Sequence, residues 1–162
     1  MKQQNIKAAE PKPVRNDSLK EAMDQLRNDP TKENNIVVLN EVVSARLLAP
    51  VSMDREPELD PKTGEVILDK DTEIRFEIIT NNKGELYYPV FTDGAELKKC
   101  SEEPDQRVLI VNFADLAAMI AAQNNQISGF VINPRGDNMV FPAEMIAKMS
   151  EEMMREDKEK EK

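Results

Sequence analysis

The chain has no histidine, no tryptophan and a single cysteine, Cys100, among its 162 residues. Each shortage removes a class of chemistry. Without histidine, neither a serine–histidine–aspartate triad nor a cysteine–histidine pair can be assembled within one chain. A lone thiol cannot close an internal disulfide, which fits a reducing compartment. Aromatic residues make up 4%, too few for the stacking platforms that hold single-stranded nucleic acid. The glycines, at 64, 84, 94, 129 and 136, form neither GxGxxG nor a P-loop. No run approaches the ~18 consecutive apolar residues of a membrane-spanning helix, and Met1 to Pro13 lacks the apolar core of a secretory signal. These shortages predict a cytoplasmic protein with no cofactor and no membrane partner.

What is present is acid. Formal net charge is -9, a field that repels nucleic acid, because those contacts need Lys and Arg against phosphate. Hydrophobic residues, at 40%, suffice for one core in a chain of one-domain length. Residues 1–16 are polar, carry Pro11 and Pro13, show no apolar period and read as a disordered tail. Residues 151–162 mix charges of both signs and read as a charged, frayed helical tail. The domain lies between, over 17–150.

Within it, Asp17 or Ser18 can cap a helix that sets Leu19, Met23 and Leu26 on one face. Asn28-Asp29-Pro30 ends that helix. Thr31 caps a segment whose β-branched Ile36-Val37-Val38 argues strand and whose cap and length argue helix; we assign helix over 31–44. Arg46–Met53 reads as a strand with Pro50 at an edge or irregular position. Asp54–Asp71 is a polar linker holding a short strand at Val66–Leu68. Thr72–Thr80 alternates, with Ile74, Phe76 and Ile78 on one side, and Asn81-Asn82-Lys83-Gly84 turns it into a partner strand, Leu86–Phe91. Asp93 and Glu96 fit a capping box. Arg107–Val111, Ile127–Ile132 and Met139–Phe141 are short strands. Asn112 caps a helix with Leu116, Met119, Ile120 and Phe113 inward, and a last helix after Pro142 faces Met145, Ile146, Met149 and Met153 inward. Strand–helix–strand spacing over 86–111 and 107–132 predicts two βαβ crossovers. The expected class is α+β: a single domain with a mixed five- or six-stranded sheet and packed helices.

Two motifs in this order carry a resemblance. Tyr88-Pro89-Val90-Phe91-Thr92-Asp93 is a strand running into a capped helix. Gly129-Phe130-Val131-Ile132-Asn133-Pro134 is a buried strand ending in Asn-Pro. With the helix-then-strand segment Asn34–Val51 before them, they resemble the N-terminal domain of the SseB (enhanced serine sensitivity) family over roughly residues 17–150. That resemblance implies a bacterial, cytoplasmic fold and an interaction or regulatory role, with no reaction attached. Longer members carry a second, C-terminal domain, which falls outside these residues.

Candidate chemistry is sparse. Cys100 is followed by Glu102 and Glu103 and reads as an unreactive thiol, since reactive thiolates need a positive setting. Asp69-Lys70-Asp71-Thr72-Glu73 lacks the glycine and distant glutamate of a calcium loop, and with Glu102-Glu103-Pro104-Asp105 reads as solvated linker. No residue is assigned to catalysis or to a metal. Arg135-Gly136-Asp137 reads as a turn. The candidate interaction surface is Phe91, Thr92, Asp93, Asn133 and Pro134, at the ends of two buried strands, where ligands often bind in such sheets, together with Met153 on the methionine-rich last helix; whether the two turns form one site is left open by the sequence. The leading expectation is a non-enzymatic domain binding an unidentified protein there, in an oligomeric state the sequence leaves open. The alternatives are a sensor for an anionic metabolite at the same strand ends and an enzyme using carboxylates only.

Overall fold

The first helix, α1 (Asp17–Asn28), forms because Leu19, Ala22 and Met23 recur on one face, and all three are buried. The computed structural model describes residues 5–7, 14–54, 58–62, 65–67, 73–101, 103, 106–124 and 126–160. The residue before α1, Asn16, is its N-terminal neighbour in place of Asp17 or Ser18, and it makes no side-chain cap. Its side-chain carboxamide nitrogen donates instead to the carbonyls of Arg46 (2.9 Å) and Thr92 (2.7 Å). Tertiary partners therefore decide where this helix starts.

Thr31 caps α2 (Lys32–Ser44) by accepting from the Asn34 amide, so helix wins over strand at 36–43. Only Val38 and Val42 of that run are buried; Ile36 and Val37 face outward.

The chain then enters β2 (Leu47–Met53). This strand pairs antiparallel with β5 (Ile74–Phe76) on one side and with β8 (Arg107–Val111) on the other, so Pro50 sits in a central strand, not at an edge. The reason is local. Leu48 exchanges both backbone bonds with Phe91, and the Glu77 amide donates to the Pro50 carbonyl at 3.1 Å. Amides alternate sides along a strand, so the missing N–H of Pro50 falls in the gap between those two partners.

β6 (Ile79–Thr80) and β7 (Leu86–Val90) form the second hairpin, with the Asn81 side chain accepting from the amides of Lys83 and Glu85. The expected alternation over 72–80 breaks at 77–78. After Phe76 the chain changes partner from β2 to β7, so Ile79 is half-buried and Ile78 is exposed.

After β7 come α3 (Gly94–Cys100), β8, α4 (Phe113–Ala121), β9 (Gly129–Ile132), β10 (Met139–Pro142) and α5 (Ala143–Lys160). α4 carries a full capping box between Asn112 and Asp115. β7 and β9 pair in parallel, and β10 returns antiparallel beside β9. The two expected crossovers are corrected here. β8 pairs with β2 and not with β7 or β9, so the connection between the parallel strands is one long excursion through α3, β8 and α4. A five-residue strand with one arginine and four apolar residues does not encode which neighbour it joins.

The class is α+β in a single domain, but the strand count differs from five or six. The described residues form a four-stranded set, β10-β9-β7-β6, and a three-stranded set, β5-β2-β8, joined by the Leu48–Phe91 bridge. A third small set joins β1 (Asn5–Lys7), β4 (Glu65–Ile67) and β3 (Glu58–Leu59). Of the span read as a disordered tail, residues 1–4 and 8–13 lie outside the described residues, as do 69–72 of the first acidic cluster and 102, 104 and 105 of the second.

Side chains from α1, α2, α4 and α5 meet those of β2, β7 and β9 in one core. Phe130 stacks on Phe141 at 4.9 Å and meets Phe113 edge-on at 6.3 Å. The stack depends on Gly129. Its φ is +154°, and a Cβ there would lie 2.0 Å from the Phe141 carbonyl oxygen, which is backbone and cannot yield. Gly129→Ala should therefore destabilise the fold by about 3 kcal/mol or more, while Gly94→Ala, where the added methyl meets nothing within 4 Å, should change stability by less than about 1 kcal/mol. Urea midpoints of both variants check this, and equal midpoints would refute the steric account.

Candidate functional site

Because β7 and β9 run in parallel, their carboxyl ends lie side by side, and the residues just past them are Thr92 and Asn133. The Thr92 and Asn133 turns thus form one hydrogen-bonded cluster. Its centre is the Asn133 side chain. The Asn133 amide still pairs with the Val90 carbonyl at 2.9 Å. At a φ of +51° its backbone then leaves the sheet. Asn tolerates this conformation better than most residues. The departing chain would strand the Thr92 amide, and the Asn133 carboxamide oxygen takes it at 3.0 Å. The carboxamide nitrogen donates to the Thr92 hydroxyl (3.0 Å) and to Asp137 (2.8 Å). The Asn133 carbonyl accepts from the amides of Gly136 and Asn138, which closes the hairpin turn.

A second layer ties this centre to two helices. The Thr92 hydroxyl donates to Asp93 at 2.9 Å, and Asp93 caps α3 by accepting from the Glu96 amide at 3.0 Å. The reciprocal half of the expected capping box is absent: Glu96 turns to Lys99 and packs against Gly136, where a Cβ would meet its carboxylate at 2.1 Å. From α1, Lys20 donates to Asp93 at 3.0 Å and Arg27 donates to Asp137. Asn16 adds its bond to the Thr92 carbonyl.

Burial sorts the candidate residues. Phe91, Thr92 and Asn133 are 1%, 0% and 0% exposed. They shape the surface without lining it. Asp93 and Pro134 are partly exposed, and Gly94, Ala95, Arg135 and Gly136 reach solvent. Met153 packs against the core and is not part of this cluster; Met154 is the outward methionine, at 66%. Sequence reading missed Lys20, Arg27, Asn16 and Asp137. Lys20 and Arg27 are spaced seven apart on α1, which sets them on one face, but no local signal names their partners. Among the described residues, no group of three His, Cys, Asp or Glu side chains can hold a metal ion, no buried side-chain polar atom lacks a partner, and no helix is long and apolar enough to cross a membrane.

Electrostatics follow the geometry. Burial pushes the Asp93 carboxyl up, but hydrogen bonds from Lys20, the Glu96 amide and the Thr92 hydroxyl, with the Lys20 charge, hold it below its ordinary value. The hydrogen bond to Asp93 raises Lys20; burial opposes this, and the fields of Asp93, Glu96 and Asp137 add to it. Away from this site, burial pushes the Tyr88 hydroxyl up, against a hydrogen bond with Gln123.

The arrangement defines an α+β domain whose parallel strand ends are closed by an asparagine and clasped by the first helix. The chain belongs to the family of the SseB protein N-terminal domain, whose model matches residues 19–148. No curated protein and no solved structure matches the chain.

Two outcomes are expected. Asn133→Ala leaves the buried Thr92 amide without its acceptor and should cost about 3 kcal/mol, read as a lower urea midpoint at unchanged slope; a loss below about 1 kcal/mol would remove Asn133 from the centre of the network. The charged pair has its own signature. A carboxyl with a lowered folded pKa stabilises above its unfolded value and loses that contribution as pH falls through the folded one. An ammonium with a raised folded pKa stabilises below its unfolded value and loses that contribution as pH rises through the folded one. Asp93→Asn should therefore flatten the acid limb of the Tm–pH curve, and Lys20→Met the alkaline limb. Limbs that keep the wild-type slope would show the pair uncoupled from folding.

Proposed function

We propose that this domain is a non-enzymatic protein-interaction or regulatory module, and that it engages a protein partner through the exposed rims of the Thr92 and Asn133 turns. The observation that carries this reading is the contrast within the site. Thr92 and Asn133 have their hydrogen bonds spent on each other and on neighbours inside the fold. The rim residues Gly94, Ala95, Arg135 and Gly136 stand exposed on that rigid base, backbone at the two glycines and side chain at Ala95 and Arg135, with the Arg135 guanidinium donating to the Lys99 carbonyl at 3.2 Å. A small, fixed, solvent-facing platform suits docking.

Charge speaks against an anionic metabolite at the same place. The α3 amide it would seek is already taken by Asp93, and the cations Lys20, Lys99 and Arg27 are already paired with Asp93, Glu96 and Asp137. The direction of the Asp93 shift suits an anchor in an ion pair, whereas a general acid at neutral pH needs a carboxyl held high. Membership of the SseB N-terminal domain family and the absence of histidine support the same reading.

The deciding experiment is quantitative copurification from the native host at natural expression. Wild type is compared with an Ala95→Arg, Arg135→Glu double variant, both positions being exposed. One protein enriched with wild type, and reduced at least about tenfold with a variant of unchanged Tm, is the expected outcome. A partner retained in full by the variant would move the interface elsewhere.

A further inference from the structure

The outer edge of β8 differs from the other edges of the sheets. Sheet edges present unpaired backbone groups and are normally blunted by charge, proline or cover. The edge strand β5 is interleaved and flanked by Glu73, Arg75 and Glu77, and β10 ends in Pro142. β8 reads Arg107-Val108-Leu109-Ile110-Val111, with one charge at its start. Leu48 turns its backbone groups to Phe91. By alternation, Leu47, Ala49 and Val51 are the residues that bond β8, and their register partners are Val111, Leu109 and Arg107. Val108 and Ile110 stand opposite Pro50 and Leu48 as the non-hydrogen-bonded pairs of that ladder, so they aim their N–H and C=O groups away from β2, and no described strand lies beside β8 on that outer side. The Ile110 side chain is 45% exposed.

Charge selects the occupant. Glu103 before the strand and Asp115 after it are both exposed. A shallow groove of about 300 Å³ at the start of the strand is lined by Ser52, Glu77, Glu103, Gln106 and Arg107, among others. The chain as a whole carries -9. An antiparallel second copy centred on Leu109 would bring the Glu103 end of one chain to the Asp115 end of the other, acid against acid. We propose that β8 takes up an extended peptide segment of a partner protein, with apolar residues in alternation and Lys or Arg at its ends. The segment adds a strand to the β5-β2-β8 set by pairing with Val108 and Ile110. Its basic end enters the groove beside Glu77 and Glu103.

This inference rests on the interaction-module reading for its class and on a different surface for its site. The probe is a synthetic nonapeptide of alternating valine and threonine with two lysines at each end, titrated into the full chain. Val108→Pro removes an outward N–H that the fold does not use, a position where edge strands tolerate proline. Ile110→Lys adds a like charge on the exposed face. The expected result is saturable binding that weakens at least about tenfold in each variant at unchanged Tm. Binding should also weaken when salt rises from about 0.05 to 0.5 M, and the Val108 and Ile110 amides should gain hydrogen-exchange protection. Three results would overturn the proposal: no binding by wild type, equal binding of a glutamate-ended peptide, or sedimentation as a dimer that Ile110→Lys dissociates. The Ala95→Arg, Arg135→Glu variant, measured alongside, separates failure at β8 from failure of the turn surface.

Discussion

The Asn133 carboxamide replaces a strand that is no longer there. Parallel strands β7 and β9 share their ladder as far as the Asn133 amide on Val90. Beyond that point the β9 chain turns away, and a buried Thr92 amide would remain unpaired at a cost of about 1–3 kcal/mol. One side chain supplies the missing acceptor. Its nitrogen then fixes the Thr92 hydroxyl and Asp137, and these orient Asp93 and Arg27 in turn. The caps of two turns, the start of α3 and the seat of α1 all follow from that one substitution of side chain for backbone.

Position and stability come from different groups here. The ion pairs from α1 involve side chains that are 41% exposed at Lys20 and 56% at Arg27, and pairs so exposed are worth about 0–1 kcal/mol. Leu19 and Met23, at 1% exposure each, contribute about 1.5–3 kcal/mol apiece through burial. The apolar stripe therefore holds α1 on the domain, and the polar residues set where along the sheet it rests. The same division applies at the seam between β2 and β7. Phe91 and Leu48 join the two sheets through a single bridge, and the strands diverge on either side of it. Pro50 and Pro89 both stand where an N–H would point into that divergence, so neither proline costs a ladder bond.

Much of this was legible locally. The caps at Thr31, Asp93 and Asn112, the turn at Asn81, and the inward faces of α1 and α4 are short-range signals, and short-range physics decides them. What stayed hidden is pairing at a distance. Arg107–Val111 has the composition of a buried parallel strand, and its true place beside β2 depends on Leu47, Ala49 and Val51, more than fifty residues earlier. Ile78 kept the period of its strand while the strand itself changed partner. Both halves of the site were visible as turns, at Thr92 and at Asn133. That one completes the other, across 41 residues, is a fact of the β7–β9 register, and local sequence does not encode register between strands joined by so long an excursion.

That geometry also constrains how the domain can act. A polar cluster whose donors and acceptors are all spent would have to break internal bonds before meeting a ligand, and each broken bond in a buried setting subtracts from binding. Groups outside the cluster carry no such penalty. The rims of the two turns offer side chains on a fixed base, and the outer edge of β8 offers backbone. A backbone edge reads the conformation of an incoming chain before its sequence, so whatever selectivity it has must come from neighbouring charge and side-chain pockets. Around β8 the exposed carboxylates Glu77, Glu103 and Asp115 outnumber the single cation Arg107, and on the proposal made above the same excess that would favour a basic segment would also count against an acidic one.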